Sequence, residues 1–120
     1  MLNNYHHQSY QAFVAALEVV QNHLTDLGLA PKSTVWKQDF QKLQQVFQSQ
    51  ILPLTGEEME AASFSRWRSV QTEIQRGFKL LETDVMFWQV SRTAETSKQR
   101  QAQICARIAQ LIDYCQLFLN

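Results

Sequence analysis

The sequence has few residues that interrupt regular structure, with only 3 glycines and 2 prolines among 120 residues. Turns are therefore expected to be few and regular elements long. An excess of charge of one sign is also missing, because 11 Lys and Arg residues balance 11 Asp and Glu residues. The overall field that would attract nucleic acid or an anionic membrane is therefore absent, and we expect no nucleic-acid partner.

Long hydrophobic runs are missing too. The best run near the N-terminus, residues 12–20, is interrupted by Glu18, and no Lys or Arg precedes Lys32. A signal peptide needs a basic start followed by an uninterrupted apolar stretch, and a membrane-spanning helix needs about 20 apolar residues. We therefore expect a cytoplasmic protein with no membrane insertion.

Cysteine is scarce, with two residues in the chain. Cys105 and Cys115 are ten residues apart on one predicted helix, a separation of about 15 Å along its axis. A disulfide bond does not span that distance, so we expect two buried thiols and not a redox pair. A chain of 120 residues buries enough apolar surface without disulfides or metals, which predicts a single domain over residues 1–120.

What the sequence does contain is four segments with apolar residues at three- and four-residue spacing, the pattern of amphipathic helices. The first is predicted from about Asn4 to Leu27, the second from Ser33 or Thr34 to Pro53, the third from about Glu57 to Arg92, and the fourth from the polar stretch 93–97 almost to Asn120. Four such helices joined by short loops predict an all-α, antiparallel four-helix bundle.

The third predicted helix is the long one. Thr55 and Glu58 have the spacing of a capping box, in which each side chain bonds the other residue's backbone N–H group. A break near Ser63 is the alternative, and it would leave a short helix before a long one of about 28 residues.

Motifs for metal, cofactor or catalytic chemistry are missing from the sequence. No acidic residue is followed three positions later by His, as di-iron bundles require, and there is no C-x-x-C-H or G-x-S-x-G. His6 and His7 are adjacent and diverge by about 100° on a helix. Asp84, near the edge of the third apolar stripe, is interpreted as a helix-edge residue. We therefore expect no metal, no cofactor and no enzyme activity.

The third helix carries more apolar residues than one buried stripe needs. Leu80 and Phe87 share a second face, and Met86 and Val90 lie still further round the helix. Two interpretations are open. Loops and the N-terminal residues cover this end of the bundle, or the residues form an interface with a partner or a second copy of the chain.

Three basic residues align on the outer side of the same predicted helix. Arg68, Arg76 and Lys79 lie there, near Glu82. They form either a solvated face with one internal ion pair or an electrostatic docking site for an acidic segment of a partner.

Several stretches of the chain are similar to a known family. They are Tyr5–Tyr10, Phe47–Glu58, Ser65–Trp67 with Gln71–Ile74, Asp84–Trp88, and Gln103–Cys115. Together they resemble the PatD family of small cyanobacterial heterocyst frequency control proteins over nearly the whole chain. The resemblance implies a cytoplasmic regulator that limits how often vegetative cells become heterocysts, linked to cell division through the tubulin-like protein FtsZ. It carries no catalytic residue.

These observations lead to three hypotheses of different classes. The first is a non-enzymatic adaptor that binds FtsZ or another division component, with Leu80, Met86 and Phe87 in apolar contact. The second is a small-molecule-binding bundle that acts as a sensor, with Trp36, Trp67 and Trp88 around a pocket. The third is a homodimer whose apolar face is covered by a second copy.

Overall fold

Four long helices form where apolar residues recur at helical spacing, in a computed structural model that describes residues 4–26 and 34–119. They are α1 (Asn4–Asp26), α2 (Thr34–Val46), α3 (Ala61–Gln89) and α4 (Ala94–Leu119), and a π-helical turn (Phe47–Ile51) continues α2. No strand occurs in these two ranges. The predicted all-α, antiparallel four-helix bundle with a long third helix is confirmed.

Contacts at both ends of the helices show the antiparallel arrangement of α1 and α2. His23 near the end of α1 pairs with Asp39 near the start of α2. At the other end, the rings of Phe13 and Phe47 have their centroids 5.7 Å apart.

The other two helices follow the same alternation. Arg107 of α4 donates to Asp84 of α3 at 3.0 Å, and Gln101 of α4 donates to the carbonyl of Leu24 in α1 at 2.6 Å. Each of α1, α3 and α4 therefore lies beside a neighbour that runs in the opposite direction. The bundle measures 50 × 22 × 20 Å.

Aromatic rings fill the seam between α2 and α3, whose backbones stay further apart than those of the other sequential helix pairs. Phe47 stacks on Phe78, with ring centroids 4.1 Å apart and ring planes at 11°. The ring centroids of Trp36 and Trp88 are 4.7 Å apart. Phe40 completes this set, parallel to Phe78 at 6.4 Å. Large rings between two helices hold their backbones apart, and such ring pairs add about 0.5–1.5 kcal/mol each beyond the area they bury.

The start of α3 differs from the prediction. The capping box of Thr55 and Glu58 is wrong, because residues 56–59 form a turn closed by the Met59 N–H group on the Gly56 carbonyl at 3.0 Å. The helix begins at Ala61 without a side-chain cap. It runs to Gln89 with no break at Ser63 and no separate short helix before it.

Tertiary contact explains this difference. A Cβ atom at Gly56 would clash with the ring of Phe64, so the turn packs directly on the first turn of α3. The carbonyl of Thr55 accepts a hydrogen bond from His6 Nε2 at 2.8 Å, which ties the turn to α1. Long-range packing therefore outweighs the local capping signal.

The remaining boundaries agree with the sequence patterns where they are described. Thr93 caps α4, since its hydroxyl accepts the Thr96 N–H group at 3.1 Å. The predicted stop at Leu27 and the candidate cap Ser33 lie outside the described residues, as does the side chain of Thr34. Within the described residues, no helix combines the length and apolar character that a membrane crossing needs.

Candidate partner-binding surface

The outer face of α3 is the side of the helix turned away from the bundle. The core stripe of α3 includes Trp67, Ile74, Phe78, Leu81, Val85 and Trp88. Exposed residues on the opposite side, together with Val90 directly after the helix, form what we call the outer face: Arg68, Thr72, Arg76, Lys79, Leu80, Thr83, Met86, Phe87 and Val90. The spacing of 100° per residue places both the predicted apolar residues and the predicted basic residues on this one side.

The apolar part of the outer face lies toward the C-terminal end of α3. The exposed fraction is 67% for Val90, 54% for Met86, 44% for Phe87 and 41% for Leu80. The described part of the chain does not cover these side chains. Exposed large apolar residues that gather on one helix end are typical of interaction sites, whereas isolated ones are ordinary.

The four apolar residues lean toward different neighbours. Phe87 lies toward α4, where the guanidinium of Arg100 sits 5.0 Å from its ring centroid, and Leu80 is seven residues earlier on the same side. Met86 leans the other way, into a groove of about 340 Å³ between α2 and α3 that Trp36 also lines. The apolar patch therefore spans α3 from the α4 side to the α2 side.

The basic residues precede the apolar ones along the outer face. Arg68, Arg76 and Lys79 are exposed there, and Arg66 is exposed as well. Every fully exposed charged residue of α3 is basic. Neither Arg68 nor Lys79 forms an ion pair with another residue in the described part of the chain.

The acidic residues of α3 are half-buried, and all have partners. The predicted proximity of the basic residues to Glu82 does not produce an ion pair with it. The observed pairs are Glu73 with Arg76 (3.4 Å), Glu82 with Gln44 (2.8 Å) and Asp84 with Arg107 (3.0 Å). The outer face therefore presents net positive charge on a chain whose formal charge is zero.

A buried polar network holds the first half of α3 in place. Trp67 Nε1 donates to the Tyr10 hydroxyl at 2.8 Å, and that hydroxyl donates to Gln71 Oε1 at 2.6 Å. Gln71 Nε2 in turn donates to the Ile51 carbonyl in the π-helical turn at 2.9 Å. Burial raises the pKa of Tyr10 well above its ordinary value of 10.0, so the hydroxyl stays protonated and fills both roles.

The cysteines and histidines take structural positions. Cys115 is buried, and burial raises the pKa of its thiol to about 12. Cys105 is half-buried, and burial raises its pKa too. Two of the histidines, His6 and His23, make the inter-segment contacts described above, and His7 is half-buried. Among the described residues no three His, Cys, Asp or Glu side chains converge on a point where a metal ion would bind.

An open pocket of about 650 Å³ lies beside the first half of α3. Residues 54–57 and Met59 form one wall, and Trp67, Arg68 and Gln71 are on the other. Trp36 and Trp88 are in contact at the opposite end of the bundle, so the three tryptophans do not surround one pocket. Trp67 and Trp88 are 21 residues apart on one helix, a separation of about 31 Å.

Comparison with known proteins gives no relative: no protein family, no curated protein and no solved structure matches the chain.

Proposed function

We propose that this protein is a non-enzymatic regulator that binds another protein through the outer face of α3. The observation that carries the proposal is the arrangement on that face of exposed basic residues followed by exposed apolar residues. The acidic residues of the same helix are engaged with other side chains. A surface of this kind offers apolar contact and a field that attracts negative charge.

The partner segment that fits this face is itself amphipathic, with acidic residues beside apolar ones. Along α3 the basic stretch from Arg68 to Lys79 and the apolar stretch from Leu80 to Val90 are each about 15–17 Å long. A helix of about 20 residues spans both. Its acidic half would face the basic residues, while its apolar half would bury Met86 and Phe87.

The identity of the partner follows from the resemblance to the PatD family. On that basis the partner is FtsZ or another component of the division machinery, and the protein acts in the cytoplasm of a filamentous cyanobacterium. There it limits the frequency of heterocyst differentiation by modulating division. The resemblance and the outer face overlap at Asp84–Trp88, which contains Met86 and Phe87, whereas the other stretches that carry the resemblance are mostly packing and turn residues.

Co-sedimentation with polymerising FtsZ across a salt series tests the proposal. We expect the protein to pellet with the polymer at low salt and to be released as salt rises, because the Debye length falls from about 10 Å at 0.1 M to about 3 Å at 1 M. The double variant Arg76→Gln/Lys79→Gln should bind more weakly and lose most of the salt dependence. Met86→Gln/Phe87→Gln should weaken binding about tenfold or more at every salt concentration.

Val19 supplies the matched control, because it is an apolar residue 45% exposed on α1 and α1 lies diagonally across the bundle from α3. Val19→Gln should bind as the unaltered protein does. All variants should keep the helical circular dichroism spectrum, since they alter exposed residues. Binding that is equal for Met86→Gln/Phe87→Gln and Val19→Gln would refute the assignment of this face.

Sedimentation velocity of the protein alone distinguishes partner binding from the homodimer hypothesis. A monomer whose apolar outer face is free agrees with the partner-binding proposal. A dimer that Met86→Gln/Phe87→Gln dissociates, together with no FtsZ binding at any salt, would instead assign the face to self-association.

A further inference from the structure

The pocket beside the first half of α3 exists because α2 is shorter than α3. The π-helical turn that ends α2 reaches only to Ile51, where its carbonyl accepts Gln71 Nε2. The ten residues of α3 before Gln71 therefore have no α2 beside them. The turn of residues 52–60 folds back over part of this space and leaves the pocket of about 650 Å³ open, which is within the range of small-molecule sites.

The inner surface of this pocket is largely apolar. Leu54, Met59, Phe64 and Trp67 contribute to its lining. Trp67 is only 6% exposed, and its indole N–H group is fixed by the Tyr10 hydroxyl. A preformed apolar surface of this kind favours a ligand with an aromatic or branched aliphatic body.

Two opposite charges line the same pocket without neutralising each other. Arg68 and Glu57 are both exposed and both belong to the lining. They do not form an ion pair with each other, and neither pairs with another residue in the described part of the chain. The pocket therefore offers one site for a negative group and one for a positive group.

We propose that this pocket binds a small zwitterion with an apolar body, the chemistry of an α-amino acid with a large apolar side chain. The carboxylate of the ligand accepts two parallel hydrogen bonds from the guanidinium of Arg68. The ammonium group faces the carboxylate of Glu57. The side chain of the ligand packs on Phe64 and Trp67. A ligand with only one charge meets one favourable and one unfavourable residue.

Titration of the ¹⁵N-labelled protein with phenylalanine, followed by NMR, tests this inference. The backbone amide of Gly56 and the indole N–H group of Trp67 report from the two walls, and both signals should shift and saturate. 3-Phenylpropionate, which lacks the amine, and phenethylamine, which lacks the carboxylate, should each bind about two- to fivefold more weakly, as expected for partly exposed ion pairs.

Two variants that each remove one charge test where the carboxylate and the ammonium group of the ligand bind. Arg68→Gln should weaken phenylalanine and 3-phenylpropionate about two- to fivefold and leave phenethylamine unweakened. Glu57→Gln should do the reverse, weakening phenylalanine and phenethylamine only. Arg76→Gln is the matched control, because Arg76 is an exposed arginine of the same helix outside the pocket lining. It should change none of the three affinities.

Lack of a saturable shift with phenylalanine up to roughly 10 mM would overturn the inference, since a ligand with a Kd of about 1 mM would then be nearly saturated. Equal weakening of all three ligands by Arg68→Gln would overturn the charge assignment. The outcome is distinguishable from that of the FtsZ experiment, because the variants used there, at Arg76, Lys79, Met86 and Phe87, do not alter the pocket lining.

Discussion

Removal of one hydroxyl group, in Tyr10→Phe, should destabilise the protein more than its size suggests. The ring of Tyr10 is fully buried, and phenylalanine keeps that ring and its packing. The hydroxyl, however, accepts the Trp67 indole N–H group and donates to Gln71 Oε1. The substitution therefore leaves one buried donor and one buried acceptor without their partner.

The magnitude follows from those two groups. A buried polar atom that loses its partner costs about 1–3 kcal/mol, so two atoms give a range of about 2–6 kcal/mol. Trp67 and Gln71 are 6% and 5% exposed, and both line the open pocket. Water entering the pocket would replace part of the hydrogen bonding that the two side chains lose. We therefore expect the lower part of the range, a loss of about 2–3 kcal/mol. For a chain of this length, that corresponds to a fall in Tm of roughly 8–12 °C.

Urea unfolding followed by circular dichroism measures this loss, with Tyr5→Phe as the matched control. Tyr5 is 56% exposed, so removal of its hydroxyl should change the free energy of unfolding by less than about 0.5 kcal/mol. The two variants differ from the unaltered protein by the same single oxygen atom. If Tyr10→Phe were as stable as Tyr5→Phe, the network would not contribute to stability and the reasoning would be refuted.

Two further stability predictions concern the cysteines and the ion pairs. Because burial raises the pKa of Cys115 from 9.0 to about 12, the unfolded chain ionises first as pH rises. The free energy of unfolding should therefore fall by up to about 1.4 kcal/mol per pH unit above roughly pH 9. Cys115→Ala should remove this part of the slope in urea titrations, and an unchanged slope would contradict burial as its source. Separately, Arg107→Gln should cost about 2 kcal/mol, because its pair with Asp84 is 19% and 14% exposed. Arg76→Gln, whose pair with Glu73 is 70% and 43% exposed, should cost less than about 0.5 kcal/mol in the same assay; equal losses would contradict the difference.

Apolar spacing alone is enough to predict the helices, because each core stripe recurs every three or four residues. It is not enough to predict how α2 ends. There the Leu52 N–H group bonds the Phe47 carbonyl five residues back, and the carbonyl of Ile51 accepts Gln71. No local pattern distinguishes this π-helical turn from an α-helix, and its contact with Gln71 joins residues 20 positions apart. The failed capping box has the same cause, a contact of Gly56 with Phe64 that lies outside the local pattern.

The candidate site also has features that the sequence predicts and features that it does not predict. The angular position of Phe87 on the helix predicts that it lies away from the core stripe, and it is 44% exposed. The same spacing predicts the basic residues of the outer face, but it does not predict that Asp84 is engaged by Arg107, a residue 23 positions away on another helix. The pocket is not predicted by the sequence either. The one sequence feature that indicates it is the short interval between Pro53 and the third apolar stripe, which requires the chain to fold back.

Both proposed sites lie where α2 leaves part of α3 uncovered. A helix that extends past its neighbour leaves a flank without a covering helix, and the turn of residues 52–60 covers this flank only in part. At the other end, the aromatic seam keeps α2 away from α3, and Met86 lines the groove between them while remaining 54% exposed.

Trp67 and Met86 are separated along one continuous helix by about 28 Å. The core residues between them are 0–5% exposed, among them Ile74 and Val85. A rigid, well-packed helix has no second arrangement that a ligand at one end would favour, and without a second state a ligand shifts nothing at the other end. The two sites should therefore not be coupled through the helix, but they share Arg68 and Thr72, which belong both to the outer face and to the pocket lining. Saturating the pocket with phenylalanine should therefore weaken binding of the protein partner no more than Arg68→Gln does.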